Sequence, residues 1–123
     1  MFEKLISFDT AILAKEKGFN IPVLYFYDES EKGIYAYSNN CDYNDDSVWY
    51  DKDYLSAPTQ SLLQQWLREI KSIDIEIYLI NSANYGKMYG CLINYDSKTT
   101  RLDDKHKYTD ILENSLQEAL KLI

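Results

Sequence analysis

The sequence of 123 residues predicts an α+β domain with the order α-β-β-α-β-β-α: one antiparallel four-stranded sheet with its helices packed mainly on one face, a two-layer sandwich. Three observations carry that expectation. Two stretches alternate apolar and polar residues on either side of a short turn, and three others place apolar residues three and four apart. Apolar residues make up 46% and charged residues 27%, the usage of a folded chain rather than a disordered one. The length suits a single domain over residues 1–123, large enough to bury a core without metal or disulfide staples.

The first helix is read in SFDTAILAKEKG. Ser7 or Asp9 can cap it, Phe8, Ile12 and Leu13 form its apolar stripe, and Gly18 offers the left-handed stop. NIPVLYFYDES follows as a strand, aromatic and β-branched after Pro22, and Glu31-Lys32-Gly33 reads as the turn into a returning strand, GIYAYSN. A polar loop from Asn39 to Tyr54 comes next. In APTQSLLQQWLREI, Ser56 or Thr59 offers a capping oxygen and Pro58 suits a first turn. Leu62, Leu63, Trp66, Leu67 and Ile70 form the apolar face of this helix, and Gln60, Gln64, Gln65, Arg68 and Glu69 the polar one. IDIEIYLI alternates as a third strand. KMYGCLINY returns as a fourth, where Gly90 implies a bulge or the close approach of something packed above it. SKTTRLDDKHK is read as a loop. TDILENSLQEALKLI closes as a helix capped by Thr109, with Ile111, Leu112, Leu116, Ala119, Leu120 and Ile123 inward.

Composition and charge exclude several activities. Thirteen basic against twenty acidic side chains leave −7, the wrong sign for a nucleic-acid backbone binder. Cys41 and Cys91 lie far apart with no Cys-x-x-Cys spacing, as expected of reduced thiols in a cytoplasmic protein. MFEKLISFDT has an early acid and no long apolar run, so no signal peptide is expected, and no stretch is apolar enough to span a membrane.

Catalytic and metal chemistry find little footing. Asp42, Asn44, Asp46 and Asp53 fall at positions one, three, five and twelve of a calcium-loop spacing. Ser47 stands where the sharp turn needs glycine, and the last ligand is an aspartate rather than the longer glutamate, so a solvated acidic loop is the better reading. The only histidine, His106, lies between Lys105 and Lys107 with nothing tying it to a cysteine or serine nucleophile. Adjacent carboxylates such as Asp103 and Asp104 read as solvated charge, and no glycine-rich phosphate cradle occurs. No enzyme, cofactor or metal is expected.

Tyrosine is the unusual residue: twelve Tyr against four Phe. Its ring is apolar and its hydroxyl needs a partner, so it suits half-wet surfaces. Tyr25 and Tyr27 share a face of one strand, Tyr35 and Tyr37 share a face of its partner, and Tyr78 stands opposite the isoleucine face of the third strand. These five form the candidate binding surface, a tyrosine-paved sheet face turned away from the helices, for a protein partner or for a second copy in a homodimer.

The segment APTQSLLQQWLRE, preceded by VWYDKDYLS, and the early stretch TAILAKEKGFN together resemble a family of small proteins encoded by phages, prophages and mobile elements of gut Bacteroidales. The resemblance covers most of the chain. It implies a phage or mobile-element origin and action in a bacterial cytoplasm, and it brings no catalytic residue, ligand or cofactor. Two functions are therefore weighed: a small non-catalytic protein-interaction module, and an acidic nucleic-acid mimic that blocks a DNA-handling host enzyme.

Overall fold

The computed structural model describes residues 3–123, and the chain divides into two compact units, with the boundary between Thr59 and Gln60. The first unit contains α1 (Phe8–Glu16), β1 (Val23–Asp28), β2 (Ile34–Cys41) and β3 (Tyr54–Ser56). Ser7 caps α1, its Oγ accepting from the Thr10 amide at 3.3 Å. The buried side of this helix is Thr10, Ala11 and Ala14, whereas Phe8, Ile12 and Leu13 are only half-buried. Small residues let the helix approach its support closely. Gly18, at φ 90°, turns the chain out of the helix, and the Phe19 amide donates back to the Ala14 carbonyl at 3.0 Å.

In this unit β1 is the central strand of an antiparallel sheet ordered β2-β1-β3. Phe26 lies opposite Tyr35 on one side and Ser56 on the other; Tyr27 lies opposite Ile34 and Leu55. The connection from Asp28 to Gly33 is a four-residue loop, closed by the Lys32 amide on the Asp28 carbonyl at 2.6 Å. Lys32, not Gly33, takes the left-handed conformation, at φ 59°. At Gly33 a Cβ would meet the end of the Tyr35 side chain at 3.1 to 3.3 Å, closer than ordinary contact, so the ring would have to shift by a few tenths of an ångström.

The second unit contains α2 (Gln60–Lys71), β4 (Asp74–Ser82), β5 (Gly86–Tyr95), β6 (Lys98–Lys105) and α3 (Tyr108–Lys121). Its sheet is an antiparallel meander ordered β4-β5-β6. Asp96 and Ser97, both with positive φ, make the tight turn between β5 and β6. Helix α3 buries Ile111, Leu112, Leu116, Ala119 and Leu120 as predicted, but it starts at Tyr108, so Thr109 is not its cap. Helix α2 buries Leu63, Trp66 and Leu67, while Ile70 on its last turn is exposed. Gln60, assigned to the polar face, is buried: its Nε2 donates to the Thr109 carbonyl at 3.0 Å and to Glu113 Oε1 at 2.8 Å. Gln64 Nε2 donates to the Ile75 carbonyl at 3.1 Å, tying the same helix to β4.

The α+β class holds, and the single four-stranded sheet does not. Two separate three-stranded sheets replace it. The second edge of β1 is taken by β3, from a stretch that reads as loop, and the second edge of β5 by β6, from a stretch whose charges mask its alternation. Strands β1 and β5 are thus central strands, each paired on both sides within its own sheet, and the two predicted hairpins belong to different sheets. The strand orders also differ between the units, so the repeated α-β-β pattern is no duplication of topology.

Gly90 satisfies both predicted readings. The register between β5 and β6 shifts between Tyr89 and Cys91, and across the sheet Gly90 faces Tyr78, whose ring lies directly over it. A Cβ on Gly90 would fall 2.5 Å from Tyr78 Cζ.

Candidate functional site

The four-residue loop between β1 and β2 decides where the first-unit tyrosines go. Tyr25 stands opposite Ala36, Phe26 opposite Tyr35 and Tyr27 opposite Ile34, so odd-numbered residues on one strand share a face with even-numbered residues on the other. Tyr25 and Tyr27 therefore lie on the face opposite to Tyr35 and Tyr37. Tyr27 is buried against the start of α1: its hydroxyl donates to the Ile6 carbonyl at 2.7 Å and its ring meets Phe8 edge-on at 5.5 Å. Tyr25 stays exposed on that side. Tyr78 belongs to the second unit, half-buried over Gly90. The five predicted residues thus divide among three places: Tyr25 with the buried Tyr27 on one face, Tyr35 with Tyr37 on the other, and Tyr78 in the second unit.

What surrounds those two is a larger aromatic cluster. Phe26 is its buried centre, with Tyr43 and Tyr54 both at 4.4 Å between centroids and Tyr37 at 5.2 Å. Trp49 stacks on Tyr37 at 5.9 Å with 18° between the planes, and it meets Tyr54 at 5.4 Å. Tyr43, Trp49 and Tyr54 all come from the stretch read as a plain acidic loop. The signal that could have found them was the set of rings interleaved with its aspartates.

The loop is pinned by the residues that suggested calcium. Asn44 donates through Nδ2 to the Phe19 carbonyl and accepts at Oδ1 from the Ser56 amide, both at 2.9 Å. Ser56, one proposed helix cap, instead receives the Tyr43 amide on its Oγ at 3.1 Å. Asp42 accepts from the Asn44 amide at 3.0 Å, and burial pushes its carboxyl above the usual range. Asp46 pairs with Lys15 at 3.1 Å, and the same lysine donates to the Tyr54 carbonyl at 3.2 Å. These oxygens are turned to separate protein partners rather than to a shared point. His106, exposed, has Nδ1 at 3.3 Å from the Lys87 carbonyl. Cys91 is buried beside the Ser115 hydroxyl at 2.8 Å, and burial raises its thiol.

The hydroxyls of the cluster are tied down as well. Tyr37 and Tyr54 hydroxyls lie 3.0 Å apart. That bond first, and burial second, push the Tyr54 phenol up to about 12. Tyr35 donates to Glu31, and the hydrogen bond to that carboxylate raises its own phenol. The raised Tyr35 and Tyr54 phenols are thereby held in their neutral form.

One side of this cluster is an open strand edge. The Asp28 amide donates to the Gly33 carbonyl, and with the register this turns the backbone groups of Gly33 and Tyr35 toward β1. The N–H and C=O of Ile34 and Ala36 then point outward, where among the described residues the sheet has no further strand. Every residue from Ile34 to Asn40 is exposed. Ile34, Tyr35 and Tyr37 each keep close to half of their surface in water, at 49%, 45% and 46%. No family model, curated protein or solved structure matches the chain.

Proposed function

We propose that this is a small non-catalytic interaction protein, of phage or mobile-element origin and acting in a bacterial cytoplasm, that binds a protein partner by adding a strand to the β2 edge. A comparison of the four sheet edges carries this reading. Edge strands in soluble proteins are usually blunted by shortness, charge or proline. Strand β3 has three residues, all buried; β4 carries Asp74 and Glu76; β6 carries Lys98, Arg101, Asp103, Asp104 and Lys105. The eight residues of β2, IYAYSNNC, contain neither charge nor proline. An unprotected edge beside exposed rings is the arrangement through which an extended peptide gains main-chain hydrogen bonds along the strand and side-chain contacts beside it. For the origin and the compartment the support is the APTQSLLQQWLRE resemblance. Among the described residues no helix is long and apolar enough to cross a membrane.

The test is capture of a partner from host lysate by the native chain and by Ala36→Pro. The substitution removes an outward N–H while leaving the β1 ladder untouched. Far-UV circular dichroism must first show that the variant is folded. Loss of the partner supports the edge, and equal capture by both chains refutes it.

A second reading, an acidic mimic of nucleic acid, draws support from one observation. Eleven acidic and five basic side chains fall in the first unit, against nine and eight in the second, so the first unit carries −6 of the net −7. Binding that collapses with salt yet survives Ala36→Pro would favour the mimic.

A further inference from the structure

The chemistry of the occupant follows from what rims the open edge. Carboxylates lie along this side of the cluster. Glu31 accepts from the hydroxyl of the exposed Tyr35, and Asp28 stands beside the buried Tyr54 in the strand register. The two segments that flank β2, residues 28–33 and 42–54, hold eight acidic side chains and only Lys32 and Lys52 as bases. Of those eight, Asp46 is already neutralised by Lys15. The strand itself is uncharged, so the negative potential lies to the sides of the backbone groups that a partner strand would use.

A second copy fits this surface poorly. Pairing β2 with β2 would bring two such acidic rims together at short range, where like charges oppose association. A cationic strand meets the opposite situation. Its ammonium or guanidinium groups meet aromatic faces and carboxylates on the same side of the sheet, a combination that favours a cation more than either does alone.

We propose that the β2 edge takes an extended segment of a partner protein bearing lysine or arginine at alternate positions. Its backbone pairs with Ile34 and Ala36, and its cationic side chains lie over Tyr35, Tyr37 and Trp49 on the side of Glu31 and Asp28. This rests on the edge-strand reading and adds the identity of the strand. Alternation matters because successive side chains of a strand point to opposite faces, and only one face here is aromatic.

Trp49 supplies the readout, in a Trp66→Phe background that silences the other tryptophan. Short peptides alternating threonine with lysine, with glutamine or with glutamate are titrated against the full chain, each also in a form N-methylated along one edge. The expected result is binding of the lysine peptide about tenfold or more tighter than the glutamine peptide, with none for glutamate. N-methylation should weaken it by a similar factor, and so should Tyr37→Ala. Equal binding of all three peptides, abolished by N-methylation, would overturn the cationic proposal while leaving the edge reading intact. Lysine-peptide binding indifferent to N-methylation would overturn both, since charge alone would then hold the peptide. Binding of none would also overturn both. Sedimentation velocity showing a dimer that Ala36→Pro dissociates would place a second copy on the edge and overturn the proposal.

Discussion

Gly90→Ala should destabilise the second unit through one contact, and the same substitution should become harmless or favourable once Tyr78 is gone. The added methyl would lie 2.5 Å from Tyr78 Cζ and 2.7 Å from Cε2 and Oη, where ordinary contact begins near 3.4 Å. The ring must therefore retreat by roughly 1 Å, or the strands must part, and overpacking of this kind costs about 1–3 kcal/mol. Gly90 itself does not need left-handed backbone, since Gly18 and Gly86 are the glycines with positive φ. With the ring removed, alanine in a strand interior should gain about 0.5–1 kcal/mol over glycine. The cycle of native, Gly90→Ala, Tyr78→Ala and the double variant thus predicts a coupling of about 1.5–4 kcal/mol, with the sign of the glycine substitution reversed between backgrounds. Urea unfolding followed by Trp66, in a Trp49→Phe background, reads the second unit. With a urea slope of about 1–3 kcal/mol/M, the shift in midpoint is on the order of 1 M. A cost for Gly90→Ala that is the same with and without the Tyr78 ring would refute the reasoning.

Other consequences concern the two units separately. Gln60→Ala should cost about 1–3 kcal/mol, because the Thr109 carbonyl and the Glu113 carboxylate lose the buried amide donor, and the loss should appear in the Trp66 unfolding curve. Asn44→Ala should release the loop from the Phe19 carbonyl and the Ser56 amide, raising its rate of limited proteolysis while the second unit keeps its stability. Stability of the first unit should fall between pH 10 and about 12. Unfolded tyrosine ionises near 10 and Tyr54 in the folded chain near 12, so the stabilisation is complete below 10 and is lost as pH rises through the folded value. Tyr54→Phe should flatten that slope in a Trp49-detected titration; an unchanged slope would mean that another group carries it.

Element type was largely legible in the sequence, and pairing was not. All three helices and the four strongest strands follow from periodicity, since an apolar face three or four residues apart, or two apart, needs only local information. The two missed strands show what periodicity cannot see. Tyr54–Ser56 is too short to alternate, and Lys98–Lys105 carries so many charges that the alternation of Thr100 and Leu102 against Arg101 and Asp103 is hidden. Both missed strands occupy an edge of a central strand, so overlooking them merged two sheets into one. At α2 the misreading was chemical: a glutamine amide can be buried when carbonyls are waiting for it, and Gln60 meets two acceptors that only the folded chain brings close.

The tyrosine surface turned on a single residue of loop length. A three-residue turn at Glu31-Lys32-Gly33 would pair residues of like parity and set Tyr25, Tyr27, Tyr35 and Tyr37 on one face. The actual loop, Glu29 to Lys32, has four residues and pairs odd with even. The second hairpin shows the converse: three residues separate Ser82 from Gly86, so like parities pair and Tyr78 falls on Gly90. Parity also explains why the edge is chemically two-sided. Above β2 lie Tyr35, Tyr37 and the carboxylate rim; below it lie Ile34 and Ala36, without charge. A strand added there would have one row of side chains over rings and acids and the other over small and aliphatic groups. A partner alternating cationic with uncharged residues satisfies both rows, and a peptide that groups its lysines in adjacent pairs should lose the advantage over the uncharged one, because half of its charges would then face the uncharged row.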